Sequence, residues 1–170
     1  MCTAKEHGLS RRQFGLLGMS ALGLSALPFK ALAADVEALA LTCMDYRLAD
    51  AIAPFLARQS LAHNYDQVAL AGASLAGVSP KFPSSNAAVW DHVAIAKQLH
   101  HIKKLVVIDH RDCGAYKVAF GKDFAAARDA ETAQHKTVML QFQAMLKHKH
   151  PDLGSEFYLM ALDGTAERIV

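Results

Sequence analysis

Four short apolar runs alternate with longer segments of helical character, and this alternation limits the possible folds more than any other feature of the sequence. The apolar runs have the length of buried strands and span 36–42, 67–71, 105–108 and 157–162. The segments between them carry apolar residues at helical spacing and span about 49–60, 84–100 and 124–149. Strands that alternate with helices predict an α/β fold, with a mostly parallel central β-sheet flanked by helices on both faces.

The third run, Leu105-Val106-Val107-Ile108, contains four large apolar residues and predicts the central strand. The run at 67–71 predicts a second buried strand, and Pro80 and Pro83 predict an irregular stretch over 78–85. Polar side chains at the carboxyl ends of parallel strands converge on one edge of the sheet. The residues that follow the first and third runs are therefore the candidates for function.

The first 33 residues have the order of parts of an export signal. A charged start with the pair Arg11-Arg12 precedes a weakly apolar centre over 14–27, and the small-x-small residues 31–33 end the segment. The paired arginines resemble a twin-arginine signal, whose pathway carries folded proteins. We therefore expect residues 1–33 to be a twin-arginine-type signal peptide and the twin-arginine export machinery to be a partner. Residues 34–170 would then form a single domain, periplasmic or otherwise exported. The alternative is a buried or interfacial N-terminal helix.

Loss of this segment would change the charge balance of the protein. The whole chain has 18 basic and 16 acidic residues, a net charge of +2, whereas residues 34–170 have 14 basic and 15 acidic residues, a net charge of −1. A domain with a net charge near zero lacks the excess of positive charge that attracts nucleic acid or an anionic membrane surface. No apolar stretch reaches the roughly 18 residues of a membrane span. We expect no nucleic-acid partner and no stable membrane span in the mature form.

Two cysteines remain after residue 33, and both lie at predicted strand ends. Cys43 follows the first strand in the pattern Cys-x-Asp-x-Arg, and His110 and Cys113 follow the third strand in the pattern His-x-x-Cys. Two sulfurs and one imidazole suit zinc, and three protein ligands leave a fourth tetrahedral position for water, as in catalytic sites. Three alternatives are open: cysteines that are only buried small side chains, a disulfide, and a histidine that completes a turn.

Asp45 and Arg47 lie directly beyond the first strand, two residues apart. An arginine can keep a carboxylate ionised and oriented, so that it accepts a hydrogen bond from zinc-bound water. We therefore expect Asp45 and Arg47 to be catalytic. The alternative is a surface ion pair that contributes little.

These motifs resemble the β-class carbonic anhydrases over most of residues 34–170, from Thr42-Cys43-Met44-Asp45-Tyr46-Arg47 to Asp109-His110-Arg111-Asp112-Cys113-Gly114. The resemblance implies a β-carbonic-anhydrase-like fold, zinc bound by Cys43, His110 and Cys113, and an Asp45–Arg47 pair beside the metal. It implies reversible hydration of carbon dioxide to bicarbonate by a zinc-bound hydroxide, that is, a carbonate dehydratase. It also implies a homodimer or higher homo-oligomer, and a closed state in which Asp45 is the fourth zinc ligand.

The chain also departs from the family pattern. Typical members carry Arg-Asn-Ala-Gly after their second strand, where this chain has Leu70-Ala71-Gly72-Ala73-Ser74, and the N-terminal helices that embrace a partner subunit are missing. Some relatives of the fold hydrolyse carbonyl sulfide or carbon disulfide with the same ligands, so such a hydrolase is one alternative. A non-catalytic zinc-binding or interaction protein is the other.

Several further residues lie near these motifs or on predicted helices. Tyr116 and Lys117 follow the His-x-x-Cys motif closely enough to reach the site. Six histidines are expected to face solvent without a role, as scattered helical histidines commonly do: His92, His100, His101, His135, His148 and His150.

Overall fold

The structure is a computed structural model that describes residues 35–124 and 126–170. The predicted export signal at residues 1–33 lies outside the described residues. The strands are β1 (Ala38–Thr42), β2 (Tyr65–Ala69), β3 (Lys104–His110), β4 (Gly154–Met160) and β5 (Ala166–Arg168). The α-helices are α1 (Ala49–Arg58), α2 (Pro83–His100), α3 (Gly114–Phe120) and α4 (Arg128–Lys149), and short 3-10 helices cover Tyr46–Leu48 and Ala73–Gly77.

The five strands form one sheet in the order β2-β1-β3-β4-β5. The first four are parallel, and β5 pairs antiparallel with β4. The prediction of a mostly parallel sheet with β3 at its centre is confirmed. In the register of β1 and β3, Thr42 lies opposite Ile108, so Cys43 follows one strand next to the point where Asp109 and His110 extend the other. The sheet itself therefore brings the two sequence motifs to one edge.

Helices cover both faces of the sheet, and each face has its own apolar core. On one face, Leu39 and Leu41 of β1 pack in a cluster with residues of α2 and α4. On the other face, Ala38 and Ala40 pack with residues of α1 and with Tyr116 of α3. Alternate side chains of a strand point to opposite faces, and β1 and β3 are buried on both, which explains their nearly uninterrupted apolar sequence.

The second strand differs from its prediction. It begins at Tyr65 and ends at Ala69, and its residues are exposed or half-buried, because it is the edge strand of the sheet and has a neighbour on one side only. Pro83 does not interrupt structure but starts α2. A proline is tolerated in the first turn, where its missing N–H has no helical partner in any case.

Within residues 35–124 and 126–170, the structure has no helix that is both long enough and apolar enough for a membrane span.

Candidate metal centre

Cys43, His110 and Cys113 meet at the carboxyl edge of the sheet. One ligand atom from each lies within 4.8 Å of the other two, and all three residues are buried. Zinc bonds of about 2.0–2.3 Å in tetrahedral geometry place such ligand atoms about 3.5–3.8 Å apart. Both cysteines are free thiols in the structure. The three predicted ligands are thus brought together at a spacing that a small contraction makes suitable for one metal ion.

The imidazole of His110 is arranged as metal-binding imidazoles usually are. Its Nδ1 is 2.8 Å from the carbonyl oxygen of Arg111, to which it donates a hydrogen bond. This bond fixes the tautomer and leaves a lone pair on Nε2. Nε2 is buried without a hydrogen-bond partner, which is costly for a polar atom unless something binds it. An unpartnered nitrogen beside two sulfurs fits a zinc ion.

The two thiols shift each other's pKa in opposite directions. A hydrogen bond from the Cys113 thiol holds the pKa of Cys43 well below its usual range, although burial acts in the opposite direction. The same hydrogen bond, together with burial, raises the pKa of Cys113. The backbone N–H of Gly72 also donates to Cys43 Sγ, at 3.3 Å. Cys43 is therefore the more acidic of the two thiols, which favours the deprotonated form that a metal ligand needs.

The pKa of His110 is raised. Burial lowers it, but the Cys43 sulfur beside the ring, the Arg111 carbonyl and the Asp45 carboxylate together raise it by more. The centre thus gathers electron-rich atoms in a buried setting, where a cation is favoured.

Asp45 and Arg47 form a two-pronged ion pair beside the centre. Arg47 donates from Nε to Asp45 Oδ1 at 2.9 Å and from Nη2 to Oδ2 at 2.8 Å. These bonds hold the pKa of Asp45 at about 2. Asp45 Oδ2 lies 3.7 Å from His110 Nε2, yet Asp45 is not part of the group of three ligand atoms. Its role as a fourth ligand remains a prediction.

Sequence reasoning missed the role of Asp112. Arg47 Nη1 donates to Asp112 Oδ2 at 2.8 Å, and Nη2 donates to the Asp112 carbonyl at 3.1 Å. Lys117 also pairs with Asp112, at 2.7 Å, and Lys117 first and Arg47 second lower the pKa of Asp112. Asp112 has a φ of +56°, a left-handed conformation that aspartate tolerates better than most residues. Asp112 thus links the Cys-x-Asp-x-Arg motif to the His-x-x-Cys motif. Lys117 contacts Asp112 and so acts on the site indirectly.

The turn from His110 to Cys113 is held from outside by α4. Glu131 Oε2 accepts from Arg111 Nη1 at 2.9 Å, and Glu131 Oε1 accepts from the backbone N–H of Asp112 at 2.6 Å. Glu131 and Arg111 are 4% and 8% exposed. Arg111 pairs in addition with Glu167 of β5. A buried carboxylate thus fixes the backbone that carries two of the three ligands.

One expectation about the histidines is wrong. His135 of α4 does not face solvent but is buried, and its Nδ1 lies 2.8 Å from a carboxylate oxygen of Asp109. The other five of these histidines are exposed or half-buried.

Known structures define the class of fold. The protein is similar to a carbonic anhydrase of Streptococcus mutans, with a TM-score of 0.55 and 19% identity, over 94% of this chain and 92% of that one. It is also similar to a β-carbonic anhydrase of Aspergillus fumigatus, with a TM-score of 0.50 and 16% identity, over 85% of this chain and 80% of that one. The fold is therefore of the β-carbonic anhydrase type.

The chain belongs to the family described as "Putative carbonic anhydrase", whose model matches residues 33–145. An uncharacterised protein of Rickettsia conorii is 36% identical to it over 135 residues, which are 79% of this chain and 73% of that protein. The expected membership of the carbonic anhydrase family, as a divergent member, is confirmed.

Proposed function

We propose that this protein is a zinc-dependent carbonate dehydratase that catalyses the reversible hydration of carbon dioxide to bicarbonate. The observation that carries the proposal is the unpartnered, buried Nε2 of His110 within 4.8 Å of two cysteine sulfurs. The charged pair Asp45–Arg47 stands directly beside it.

The five residues of the site divide three tasks in the proposed reaction: holding the metal, orienting the water and fixing the group that orients it. Cys43, His110 and Cys113 would hold the zinc ion, which supplies the Lewis acidity that makes water a nucleophile near neutral pH. Asp45 would accept a hydrogen bond from the attacking water and orient it toward carbon dioxide. Arg47 would keep the Asp45 carboxylate ionised and fixed. Oδ1 accepts two hydrogen bonds from Arg47, whereas Oδ2 accepts one and retains a lone pair for this task.

Substrate would reach these residues from a solvent-open pocket. Cys43, Asp45 and Ile52 line it together with Thr42 and Met44. Apolar side chains form much of its wall, which suits a small apolar substrate such as carbon dioxide.

Stopped-flow measurement of carbon dioxide hydration on the zinc-loaded full chain tests the proposal. Asp45→Ala should lower kcat/KM while the zinc content stays at one ion per chain. Asp50→Ala is the matched control, because Asp50 is an exposed aspartate five residues further along and should leave the rate unchanged. Full activity in Asp45→Ala would refute the role of Asp45.

The same preparation distinguishes the other functions. Sulfide release from carbonyl sulfide or carbon disulfide, without hydration of carbon dioxide, would replace the proposal by a hydrolase. One bound zinc ion with neither activity would replace it by a zinc-binding or interaction protein.

We further propose that the protein is exported by the twin-arginine pathway and acts as a homodimer or higher oligomer. A reporter fused to residues 1–34 should be translocated, and the double substitution Arg11→Lys, Arg12→Lys should abolish this. Continued translocation would contradict the twin-arginine route. Light scattering on the exported protein should give at least twice the mass of one chain.

A further inference from the structure

A second polar cluster lies under the metal centre, and its hub is Asp109. The carboxylate of Asp109 is 1% exposed and accepts four hydrogen bonds. Oδ1 accepts from the Ser74 backbone N–H at 2.9 Å. Oδ2 accepts from Ser74 Oγ and Tyr116 OH, each at 2.6 Å, and from His135 Nδ1 at 2.8 Å. These donors are 0–1% exposed themselves, so the whole cluster lies out of reach of solvent.

The donors belong to three different elements, and each of these elements also adjoins a metal ligand or binds the turn that carries two of the ligands. Ser74 lies in the 3-10 helix that follows Gly72, whose N–H donates to Cys43. Tyr116 lies in α3, which begins directly after Cys113. His135 lies in α4 one helical turn after Glu131, which binds the backbone of the ligand turn. Asp109 itself precedes His110 in β3.

The packing around Gly72 leaves little freedom to this arrangement. Gly72 has a φ of +83°, and a Cβ there would lie 3.0 Å from Leu75 Cβ and 3.1 Å from Ala115 Cβ. The 3-10 helix and α3 are therefore pressed together at the point where the Cys43 sulfur receives its hydrogen bond. A shift of either helix would move a ligand or the donor to a ligand.

No lysine or arginine is among these four hydrogen bonds. A buried carboxylate that no lysine or arginine contacts depends on the number and direction of its hydrogen bonds. Because three of the four act on one oxygen, the donors are placed within a narrow range of positions. The cluster can thus fix the mutual positions of β3, α3, α4 and the 3-10 helix.

We propose that Asp109 is a positioning residue for the metal centre: through Ser74, Tyr116 and His135 it sets the spacing of Cys43, His110 and Cys113. This inference rests on the proposed metal centre and concerns the affinity and geometry of the site. It does not require that the bound metal hydrate carbon dioxide. Asp109 touches neither substrate nor metal.

The test measures metal affinity and ligand geometry in the full chain. The variants are Asp109→Asn, Tyr116→Phe, His135→Leu and His135→Gln. Zinc affinity is obtained by competition with a chromophoric chelator, and the visible absorption of the cobalt-substituted protein reports the geometry of the ligands. Leu146→Ala is the control, because Leu146 is a fully buried residue of α4 about 16 Å along the helix from His135.

Asp109→Asn and Tyr116→Phe should each weaken zinc binding about tenfold or more, and both should shift the cobalt absorption. Tyr116→Phe removes one oxygen atom and retains the ring that packs on His135 at 3.8 Å, so this variant tests the proposal even if Asp109→Asn does not fold. His135→Gln should recover part of the affinity lost in His135→Leu, because a glutamine amide can donate to Asp109. Leu146→Ala should lower the free energy of unfolding without moving the cobalt spectrum.

Wild-type affinity and an unshifted cobalt spectrum in Tyr116→Phe would overturn the inference, and so would a spectral shift of equal size in Leu146→Ala. A wild-type chain that binds zinc but does not hydrate carbon dioxide would refute the proposed function and leave the inference intact. A wild-type chain that binds neither zinc nor cobalt would overturn both.

Discussion

The replacement Glu131→Gln should destabilise the protein by more than the loss of one surface charge. Glu131 is 4% exposed and accepts hydrogen bonds on both oxygens, from the Arg111 guanidinium and from the backbone N–H of Asp112. Glutamine has nearly the same shape but only one acceptor oxygen. Its NH₂ group must therefore face one of the two donors, and the Arg111 charge loses its buried counter-charge.

The loss of stability in Glu131→Gln depends on the partners that Arg111 keeps. Removing one partner of a buried ion pair costs about 3–5 kcal/mol when the other charge is left alone. Arg111 keeps its contact with Glu167 and a hydrogen bond to Thr132 Oγ1 at 3.0 Å. We therefore expect a loss of about 2–3 kcal/mol, below the range for a charge left alone. Glu131→Leu, which leaves the Asp112 N–H without an acceptor as well, should cost about 1–3 kcal/mol more than Glu131→Gln.

Urea unfolding of the metal-free protein measures these losses. Asp129→Asn is the matched control, because Asp129 lies in the same first turn of α4 but is exposed; its loss should stay below about 1 kcal/mol. The double variant Arg111→Leu, Glu131→Leu should lose less than the sum of the two single variants, because neither charge is then buried alone. A loss in Glu131→Gln no larger than that in Asp129→Asn would refute the reasoning.

Gly77→Ala should lower the free energy of unfolding by about 1–3 kcal/mol, because the new Cβ would overlap the ring of Phe142; wild-type stability in urea would contradict this. Arg47→Lys should retain one zinc ion per chain and lower kcat/KM for carbon dioxide about tenfold or more, since lysine cannot make two parallel bonds to Asp45; an unchanged rate would show that the fork geometry is not needed. Free zinc at one hundred times its Kd should stabilise the metal-free protein by about 2.7 kcal/mol, and a melting temperature that does not respond to zinc would contradict the metal assignment.

The strands that sequence predicted best are those buried on both faces. Every residue of β3 except Lys104 is buried, so burial alone explains its apolar run. β2 is an edge strand with intermediate burial, and its pairing begins at the polar residues Tyr65 and Asp66, which no apolar run could indicate. α3 has seven residues and β5 three, too few for a periodic pattern, and neither was predicted.

The helix α4 shows why part of the site was missed. Its buried stripe contains Val138, Phe142 and Leu146, which the apolar pattern indicated, but the stripe begins with Glu131 and His135. A search for apolar periodicity assigns these two polar residues to the solvent-exposed face of the helix. Their burial depends on Arg111 and Asp109, which are 20 and 26 residues away in sequence, and no local rule pairs them.

The grouping of Cys43, His110 and Cys113 could be predicted because it depends on local sequence and on the pairing of two neighbouring strands. His110 and Cys113 lie within one turn, and Cys43 was placed beside them by the parallel pairing of β1 and β3. The contact of Arg47 with Asp112 spans 65 residues and joins two side chains whose motifs were each interpreted separately.

The contact of α4 with the turn from His110 to Cys113 also affects when, during synthesis of the chain, the metal centre can be completed. Cys43, His110 and Cys113 emerge from the ribosome before Glu131 and His135, which become fixed only when α4 docks on the sheet. A nascent chain would therefore meet metal with a complete set of donors but without the residues that space them. Firm capture of the ion would belong to the last stage of maturation, and a polypeptide truncated before residue 128 would hold its metal loosely.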